Sequence, residues 1–395
     1  MIGVSGSCLK HVIYLFATWQ FLSFSQTLSA QETTPQILQT EHGPIETEIL
    51  ATGLGQISAL NFVSDTQLLV TQRSIGQLKL LDTVTGTLKE ISGVPDVLTL
   101  DECKSHEASC GIQDLALHPD FEDNRWVYLS YSEGPLHYST TAVDRYTLTG
   151  TRLEERKRIF TANAYAEDIY HFGGHMALKD GFLFITIGDR HHRARAQETS
   201  NHAGSIVRLH DDGRVPANNP FVSTENALPE IWSYGHRNSY GLMFHPTTGD
   251  LWSHDHGPSH GDELNRIVEG GNYGWPVVSF GWEYEGGPIG RGIRGQEGMQ
   301  PPVKVWVRSI APSDMVYYNA DLFPAWRGSF LIGSLSRVHL NRTRLVDNQI
   351  IVEERIMQGS IGRVRSIAIA DNGAVIVGSD TGSVVRLSPA SPWPD

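Results

Sequence analysis

Short apolar runs alternate with polar turns along most of the chain. One phrase recurs: a strand-like run, a polar turn containing Asp, Asn or Gly, and a second strand-like run. Alternating apolar residues around such turns are typical of β-hairpins. The pattern contains no long amphipathic helix, which predicts an all-β protein. Copies of the phrase begin at Phe62, Leu115, Met176, Leu242, Met315 and Ile367.

Six copies of one hairpin phrase predict a six-bladed β-propeller. A second phrase, such as GQLKLLDTVTG or GSVVRLS, often follows and supplies the next strand of the same unit. A pair of β-sandwiches is the alternative, but sandwiches do not repeat a strand–turn–strand phrase in this way. Propellers bind ligands at one end of the central channel, so we expect the functional residues in loops between these strands.

The N-terminal residues carry a targeting pattern. Lys10 and His11 precede a mostly apolar run, and a small-residue site ends at Ala30. This order predicts a secretory signal peptide, residues 1–30, cleaved after Ala30. The apolar run is too short to span a bilayer, which disfavours a retained membrane anchor. Residues 31–46 are polar and predict a disordered lead-in, so the propeller is assigned to residues 47–395. We therefore expect a periplasmic or secreted protein without a membrane span.

Composition limits the classes of partner that we expect the protein to bind. The 395 residues are 40% hydrophobic, enough for a large core, and the formal net charge is −13. Nucleic-acid binding needs a basic face, so the acidic balance argues against a nucleic-acid partner. Export to an oxidising compartment predicts that the two cysteines left after signal removal, Cys103 and Cys110, form a loop-closing disulfide.

The segment HDHGPSHGDELNRIVEGGNYGWP, residues 254–276, collects histidines, acids and glycines. Histidine and carboxylate side chains first suggest a zinc site. A helical zinc pair needs two histidines four residues apart on one face, but Gly257-Pro258 stands between His256 and His260. Because Gly-Pro stops a helix, we disfavour helical zinc binding and look for another ligand.

Three other fragments carry candidate chemistry. His171 precedes two glycines at a predicted loop mouth and could be a general base or a hydrogen-bonded surface histidine. Arg237 and Asn238 could bind carboxylates or a developing oxyanion, or could tie backbone carbonyls. Arg363 and Arg365 alternate on a predicted strand and would face one side. That pair indicates either an anionic ligand or a solvated basic edge.

Taken in order, these fragments resemble the PQQ-dependent soluble sugar dehydrogenases, the glucose/sorbosone and aldose dehydrogenase family. The matching motifs span about Phe62 to Leu387, and eight short motifs in this order on a sixfold repeat are far more specific than any one alone. They are HFGG, ITIGDR followed by AQETSNHAGSIVRLHDDGRVPANNP, PEIWSYGHRN, HGP-x-x-GDELN, GGNYGWP, SIAPSDMVYY, FLIGSL and GRVR.

The resemblance implies residue roles. His171 would be the base that takes the proton from the substrate's anomeric hydroxyl while hydride passes to the quinone. Arg237 would lie over the quinone oxygens, where positive charge stabilises the developing negative charge. Further quinone-binding positions would be Asn238, His256, Arg363 and Arg365. PQQ carries three carboxylates, which would account for arginines facing the channel of an acidic protein.

The resemblance also implies calcium. The carbonyls of Gly257 and Pro258 would bind a calcium ion that touches the cofactor. Glu263 and the Tyr273 carbonyl would bind a second, structural calcium. Calcium accepts carboxylate and carbonyl oxygens in flexible geometry and can polarise a quinone carbonyl. His254 and His260 would then be bystanders in this loop.

Several positions depart from the family pattern. Ser336 stands where a lysine often reaches the cofactor, and Arg337 beside it would face the other way if both lay on a strand. His175 replaces a common arginine, and Ser109-Cys110 replaces a polar substrate reader. Ser239-Tyr240 and Ser366 are also unusual. These changes lie at positions for cofactor affinity and substrate reading. Tyr170 and Arg190 match positions near the sugar in relatives.

Three functions remain open from the sequence. The first is PQQ- and calcium-dependent oxidation of an aldose or related hydroxy-aldehyde to the lactone or acid, with electrons passed to an external acceptor. The second is a non-enzymatic propeller that binds carbohydrate or protein through a degenerate cofactor pocket. The third is a calcium-dependent lactonase, which rests on fold analogy alone.

Overall fold

The computed structural model describes residues 35–105 and 108–393. As predicted, regular structure in these residues is almost entirely β-strand. In chain order the strands are β1 (Gln36–Gln39), β2 (Pro44–Ala51), β3 (Leu60–Ser64), β4 (Gln67–Gln72), β5 (Gln77–Asp82), β6 (Leu88–Ile91), β7 (Ile112–Leu117), β8 (Trp126–Glu133), β9 (Thr140–Thr149), β10 (Arg152–Thr161), β11 (Gly173–Lys179), β12 (Phe182–Ile187), β13 (Ser205–His210), β14 (Ile231–Tyr234), β15 (Ser239–Phe244), β16 (Leu251–Asp255), β17 (Asp262–Ile267), β18 (Lys304–Trp306), β19 (Pro312–Tyr318), β20 (Ser329–Ser334), β21 (His339–Val346), β22 (Gln349–Ile356), β23 (Val364–Ile369), β24 (Val375–Ser379) and β25 (Val384–Pro389). The short helices are α1 (Leu100–Cys103), α2 (Phe121–Asn124) and the 3-10 turns Arg73–Ile75, Arg193–Gln197 and Pro324–Trp326.

Within the described residues the strands form six antiparallel sheets, which are the six blades of a β-propeller. Five blades use four consecutive strands each, starting at β3, β7, β11, β15 and β19. The sixth blade has the order β1-β2-β25-β24-β23. The first strands of neighbouring blades contact one another in a closed ring, from β3 to β23 and back to β3. Each predicted hairpin phrase forms the first two strands of one blade, so the propeller prediction is confirmed.

Apolar packing lies between the blades. Six of the buried hydrophobic clusters each combine side chains from two adjacent blades, and together they run around the ring. For example, Leu69 of β4 and Leu129 of β8 share one cluster. Burial of such side chains contributes about 1.5–3 kcal/mol each relative to exposure. Each blade is therefore stabilised by its neighbours, and the ring must be complete for every blade to be covered.

Buried carboxylates also join the innermost strands. Asp114 of β7 accepts hydrogen bonds from the backbone N–H groups of Met176 on β11 and of Leu115. Asp314 of β19 accepts in the same way from Ile367 on β23 and from Met315. Burial raises the pKa of Asp114 to about 8, and the charge of Asp314 adds to this shift. These two acids link neighbouring blades directly.

The N-terminal strands close the ring. Strand β2 pairs with β25 from Ile45↔Pro389 onward, and β1 pairs with β2. The predicted disordered lead-in, residues 31–46, is therefore wrong over residues 35–46, and the propeller begins before residue 47. Strand β1 is the outermost strand of its blade, and three of its four side chains are exposed. The predicted signal peptide and its cleavage after Ala30 lie outside the described residues.

Two smaller features also follow the sequence. Cys103 and Cys110 form a disulfide, as predicted. It joins the end of α1 to the segment that enters β7, close to the central channel. Among the described residues, no helix combines the length and the apolar content that crossing a bilayer requires.

Removing the side chain of Ile45 should test the closure. Ile45 of β2 is fully buried in the cluster between the fifth and sixth blades. We expect Ile45→Ala to lower the free energy of unfolding by about 2–5 kcal/mol, because it removes buried methylenes and leaves a cavity. The matched change Ile37→Ala, at a 51% exposed side chain of β1, should cost less than about 0.5 kcal/mol. Equal urea-denaturation midpoints for the two variants would contradict this account.

Candidate active site

The candidate residues lie in loops that open on one end of the channel. In an antiparallel blade, the start of the first strand and the connection between the second and third strands lie at the same end. His171, Arg237 and Arg363 precede β11, β15 and β23, whereas Asp189 and His256 lie in the β12–β13 and β16–β17 connections. Because these connections come from different blades, the propeller brings together residues that are far apart in the sequence.

His171 is buried and held by a carboxylate. Its Nδ1 lies 2.6 Å from Oδ1 of Asp189, which is itself fully buried. The other Asp189 oxygen accepts a hydrogen bond from Nε1 of Trp275 at 2.8 Å. Gly188 makes this approach possible, because a Cβ at that position would collide with the carbonyl of His171. The loop from β12 is thus packed directly against the histidine.

The electrostatic surroundings keep His171 neutral. Burial and then the charge of Arg237 lower its pKa, and Asp189 raises it, with the net result about 3. Burial alone would raise the pKa of Asp189, but its contact with His171, the charge of Arg237 and the Trp275 hydrogen bond hold it below its ordinary value. An ionised Asp189 can only accept, so Nδ1 of His171 carries the proton and Nε2 has a lone pair. That form is the one a general base requires.

Arg237 and Asn238 are anchored by a second buried carboxylate. Asp255, the last residue of β16, accepts hydrogen bonds from both backbone N–H groups, at 2.8 and 2.6 Å. The Arg237 guanidinium lies 5.5 Å from the Trp275 ring and donates to the carbonyls of His256 and Gly257. The carbonyl-binding alternative for Arg237 is therefore realised, in a position beside His171. The buried Oδ1 of Asn238 has no hydrogen-bond partner among the described residues.

Buried cationic and aromatic groups line the neighbouring part of the channel. His256 stacks on Tyr240 at 4.8 Å, and His175 lies 5.0 Å from the same ring. Burial lowers the pKa of Arg365 to about 10, and Arg73 adds to the shift by charge repulsion. Nε of Arg365 has no hydrogen-bond partner within the described part of the chain. Arg365, incompletely paired and close to Arg73, fits an anionic ligand better than it fits a second arginine.

The two C-terminal arginines are not equivalent, which corrects the prediction. Arg363 lies in a bend before β23, is largely exposed and has Nε 3.6 Å from Asp380. Arg365 is the extra residue of a β-bulge, because Val364 and Ser366 pair with consecutive residues of β24. A bulge breaks the simple alternation of side chains and re-aims the inserted residue. Only Arg365 therefore reaches the buried cluster.

The proposed sugar contact of Arg190 is also wrong. Arg190 is fully buried, stacks on Phe172 at 3.6 Å and donates to the carbonyls of Asp168 and Tyr170 and to Ser139. Its guanidinium holds the loop that carries His171 and is not available to a substrate. Tyr170 is only partly buried, with its ring 5.3 Å from that of His191. Tyr170 therefore remains a candidate at the mouth of the site.

Two residues that depart from the family pattern, Ser336 and Ser109, form local hydrogen bonds. Ser336 and Arg337 lie in the turn between β20 and β21, and both side chains donate to the Ser309 carbonyl. The expectation that they face opposite sides is therefore wrong, because neither lies on a strand. The carbonyl of Ser109 accepts a hydrogen bond from Nε2 of Gln113.

A small cavity adjoins Arg237. Its volume is about 20 Å³, which is room for one ion or water. Its lining includes Gly257, Glu263, Tyr273 and Asp255, whereas Pro258 packs against Gly281 and does not line it. Burial, then the charge of Asp255, raises the pKa of Glu263 to about 8. Two acids facing one small cavity fit a cation whose other ligands are carbonyl oxygens.

The histidines of this loop point to different places. His254 is buried against Gly241, and His260 is exposed beside Ser259. Among the described residues, no three His, Cys, Asp or Glu side chains converge as a metal cluster.

Several site residues were absent from the sequence prediction. Asp189 follows β12 after one intervening glycine, and Arg73 directly follows β4, so both stand at strand ends facing the channel mouth. A polar residue at the end of a propeller strand is the signal that could have identified them. His191 contacts His171 as well, and its signal is weaker because it stands in the loop sequence RHHR.

Truncating Arg190 should destabilise the fold. Arg190→Ala leaves buried carbonyls without donors and removes packing on Phe172. We expect a loss of about 3–5 kcal/mol in unfolding free energy, as for other buried charged groups with several partners. Arg152→Ala, at a 69% exposed side chain, should change stability by less than about 1 kcal/mol. A similar melting temperature for both variants would show that Arg190 does not hold the loop.

Comparison with known proteins agrees with this geometry. The profile of the glucose / sorbosone dehydrogenase family matches residues 54–386. The chain is 33% identical over 354 residues to the aldose sugar dehydrogenase YliI of Escherichia coli (strain K12), covering 87% of this chain and 93% of that protein. It is 27% identical over 299 residues to quinoprotein glucose dehydrogenase B of Acinetobacter calcoaceticus, covering 68% of this chain and 61% of that protein.

A solved structure shows the same likeness in three dimensions. The soluble aldose sugar dehydrogenase from Escherichia coli, in its apo form, superposes with a TM-score of 0.81 at 32% identity, over 87% of this chain and 99% of that one. The family match covers most of the chain, including the loops of the channel mouth. The protein described here therefore belongs to the glucose / sorbosone dehydrogenase family.

Proposed function

We propose that the protein is a PQQ- and calcium-dependent dehydrogenase. It oxidises an aldose or a related hydroxy-aldehyde to the lactone or acid and passes the electrons to an external acceptor. The predicted signal peptide supports a periplasmic or secreted location. The observation that carries the proposal is the neutral, buried His171, held by Asp189 beside the Arg237 guanidinium.

The residues of the channel fit an anionic quinone. Arg73 and Arg365 are buried together, and the cluster around Tyr240 contains histidines. Among the described residues, no carboxylate forms a hydrogen bond or ion pair with Arg365. Arg365, with Asn238 and His256, would hold the carboxylates and oxygens of PQQ through charge-assisted and neutral hydrogen bonds. Exposed Arg363 would contribute only from the rim. When bound, PQQ would supply the two-electron acceptor for hydride from the sugar.

His171 would carry the proton chemistry. Nε2, the nitrogen without a hydrogen, would accept the proton of the substrate hydroxyl as the adjacent C–H loses its hydride. Asp189 would stabilise the imidazolium that forms and keep the ring in its orientation. Arg237 would place a fixed positive charge where negative charge develops, and losing such a donor costs about 2.7–4 kcal/mol in known cases. Burial keeps water from competing for these groups.

The cavity beside Arg237 supports the calcium assignment. Glu263, the Tyr273 carbonyl and the Gly257 carbonyl are the residues that would bind calcium, with Asp255 close by. The Gly257 carbonyl also accepts from Arg237, so a cation here and the guanidinium would be electrostatically coupled. Bound calcium would fix the loop that carries His256 and would act as a Lewis acid toward the cofactor.

The activity is tested by adding PQQ and calcium to purified protein and following dye reduction over a panel of aldoses. We expect a quinone absorbance change on binding and turnover with at least one sugar. Sugar binding without uptake of PQQ would favour a non-enzymatic propeller, and lactone hydrolysis without quinone would favour a lactonase.

Replacing the base separates chemistry from binding. His171→Gln should lower kcat by at least about 100-fold, because proton transfer by a positioned base contributes that much or more. PQQ affinity should stay close to that of the unaltered protein in an absorbance titration. His260→Gln, at the exposed histidine of the 254–276 loop, should retain full turnover. Activity retained in His171→Gln would contradict the assigned base.

Calcium should stabilise the fold through Glu263. Saturating calcium at 100 times its Kd would raise the unfolding free energy by about 2.7 kcal/mol, and EGTA should reverse the corresponding rise in Tm. Glu263→Gln keeps the shape of the side chain but removes its charge, so its Tm should no longer respond to calcium. The same calcium response in Glu263→Gln and in the unaltered protein would place the ion elsewhere.

A further inference from the structure

A second imidazole faces the base. Nε2 of His191 lies 3.0 Å from Nε2 of His171, and the two rings meet edge to face at 4.0 Å. On its far side, Nδ1 of His191 lies 2.8 Å from Oδ2 of Asp168. The order of contacts is therefore Asp168, His191, His171, Asp189, with a carboxylate at each end.

The number of protons on the two imidazoles follows from the carboxylates at the two ends of the row. Burial alone would raise the pKa of Asp168, but the hydrogen bond and charge of His191 hold it below its ordinary value. Asp189 is likewise held ionised by His171. Both carboxylates therefore only accept, and both Nδ1 atoms carry hydrogens. Two Nε2 lone pairs at 3.0 Å would repel, so the contact requires one shared proton between them.

The two imidazoles differ in solvent exposure, and this difference sets the direction in which a proton can leave. The His171 side chain is 10% exposed, whereas that of His191 is 42% exposed. The groups facing His191 are Asp168, Tyr170 and His171, with the Asp189 carboxylate on its backbone N–H and Arg237 beyond His171. A proton on the buried base thus has an exposed imidazole next to it.

The backbone supports a role beyond packing. His171 and His191 both have positive φ, 53° and 57°, and so does Arg190, the residue before His191 in the chain, at 53°. This region is unfavourable for residues other than glycine, and such residues occupy it only when the surrounding structure enforces it. Both rings of the pair are therefore held by strained backbone in the arrangement that brings their Nε2 atoms together.

We propose that His191, with Asp168 behind it, is the proton-exit residue of this site. The inference rests on the proposed dehydrogenase function. The substrate O–H bond would break and its proton would bond to Nε2 of His171, while the adjacent C–H bond would break and its hydride would leave with the electron pair for the quinone of the proposed function. The His171 Nε2–H bond then breaks as a His191 Nε2–H bond forms, and His191 releases a proton to water. Release from His191 would also remove the shared proton before substrate binds, and the substrate hydroxyl would then replace His191 as the partner of His171 Nε2.

Removing the imidazole of His191 should lower kcat more than it changes KM. We expect His191→Ala to lower kcat by at least about tenfold while KM changes little, because His171 keeps its Asp189 contact. Added imidazole should restore most of the lost rate, and the pH profile of kcat should lose the contribution of the coupled pair. The matched control is His192→Ala, at the exposed neighbouring histidine, which should leave kcat, KM and the pH profile unchanged.

Two results would overturn the role of His191. One is an unchanged kcat and pH profile in His191→Ala; the other is a lost rate that imidazole does not restore. A protein that binds no PQQ and oxidises no sugar would instead refute the proposed function, so the two failures are distinguishable.

The shared proton has a readout independent of turnover. In ¹⁵N NMR of the protein without quinone, both Nδ1 atoms should appear protonated, and the two rings should titrate as one coupled system. Asp168→Asn should weaken this coupling, since the amide no longer fixes the Nδ1 proton of His191. Two independently titrating rings would refute the shared proton.

Discussion

The carboxylate of Asp189 is the contact on which the arrangement of the site depends. It binds His171 from the loop before β11 and Trp275 from the segment after β17, and it also accepts from the backbone of His191. Its own backbone N–H donates to the carbonyl of Arg237. In a buried, low-dielectric setting an ionised group must have all its partners, and removing one exposes the full cost of desolvation. Three loops are therefore fixed relative to one another by the need to solvate one charge.

The arginines at the channel mouth differ from Asp189, because not all of them are fully paired. The terminal nitrogens of Arg190 donate to loop carbonyls, and Arg237 is held by backbone contacts. Arg365 remains incompletely paired and stands near Arg73. The protein thus tolerates like charges at close range where a ligand of opposite charge would relieve them. Departures such as His175 lower the fixed charge of this cluster, because a buried histidine near Arg73 is neutral.

Much of the fold was predictable from the sequence, since each hairpin phrase encodes two strands and their turn. The hairpins also predict that the loops meet at one end. His171 and Arg237 were identified from the fragments that contain them, and His256 from the resemblance to the sugar dehydrogenase family. The roles of Arg190 and Arg365 could not be predicted, because one depends on carbonyls from distant loops and the other on a β-bulge. The strand β1 was missed because it is only four residues long and lies in a mostly polar segment, and only its pairing with β2 reveals it.

The closure of the ring has a consequence for how the protein reaches its native state. Arg386 of β25 binds Glu48 of β2 across 338 residues of sequence. Non-local pairings of this kind slow folding, because the chain entropy is lost before the contact is made. The sixth blade also supplies Arg365, so the cluster of the channel mouth is incomplete until the C-terminal strands have paired. During synthesis the chain would form five blades with an open edge before the sixth is complete. A cofactor could therefore bind the complete cluster only in the last stage of folding.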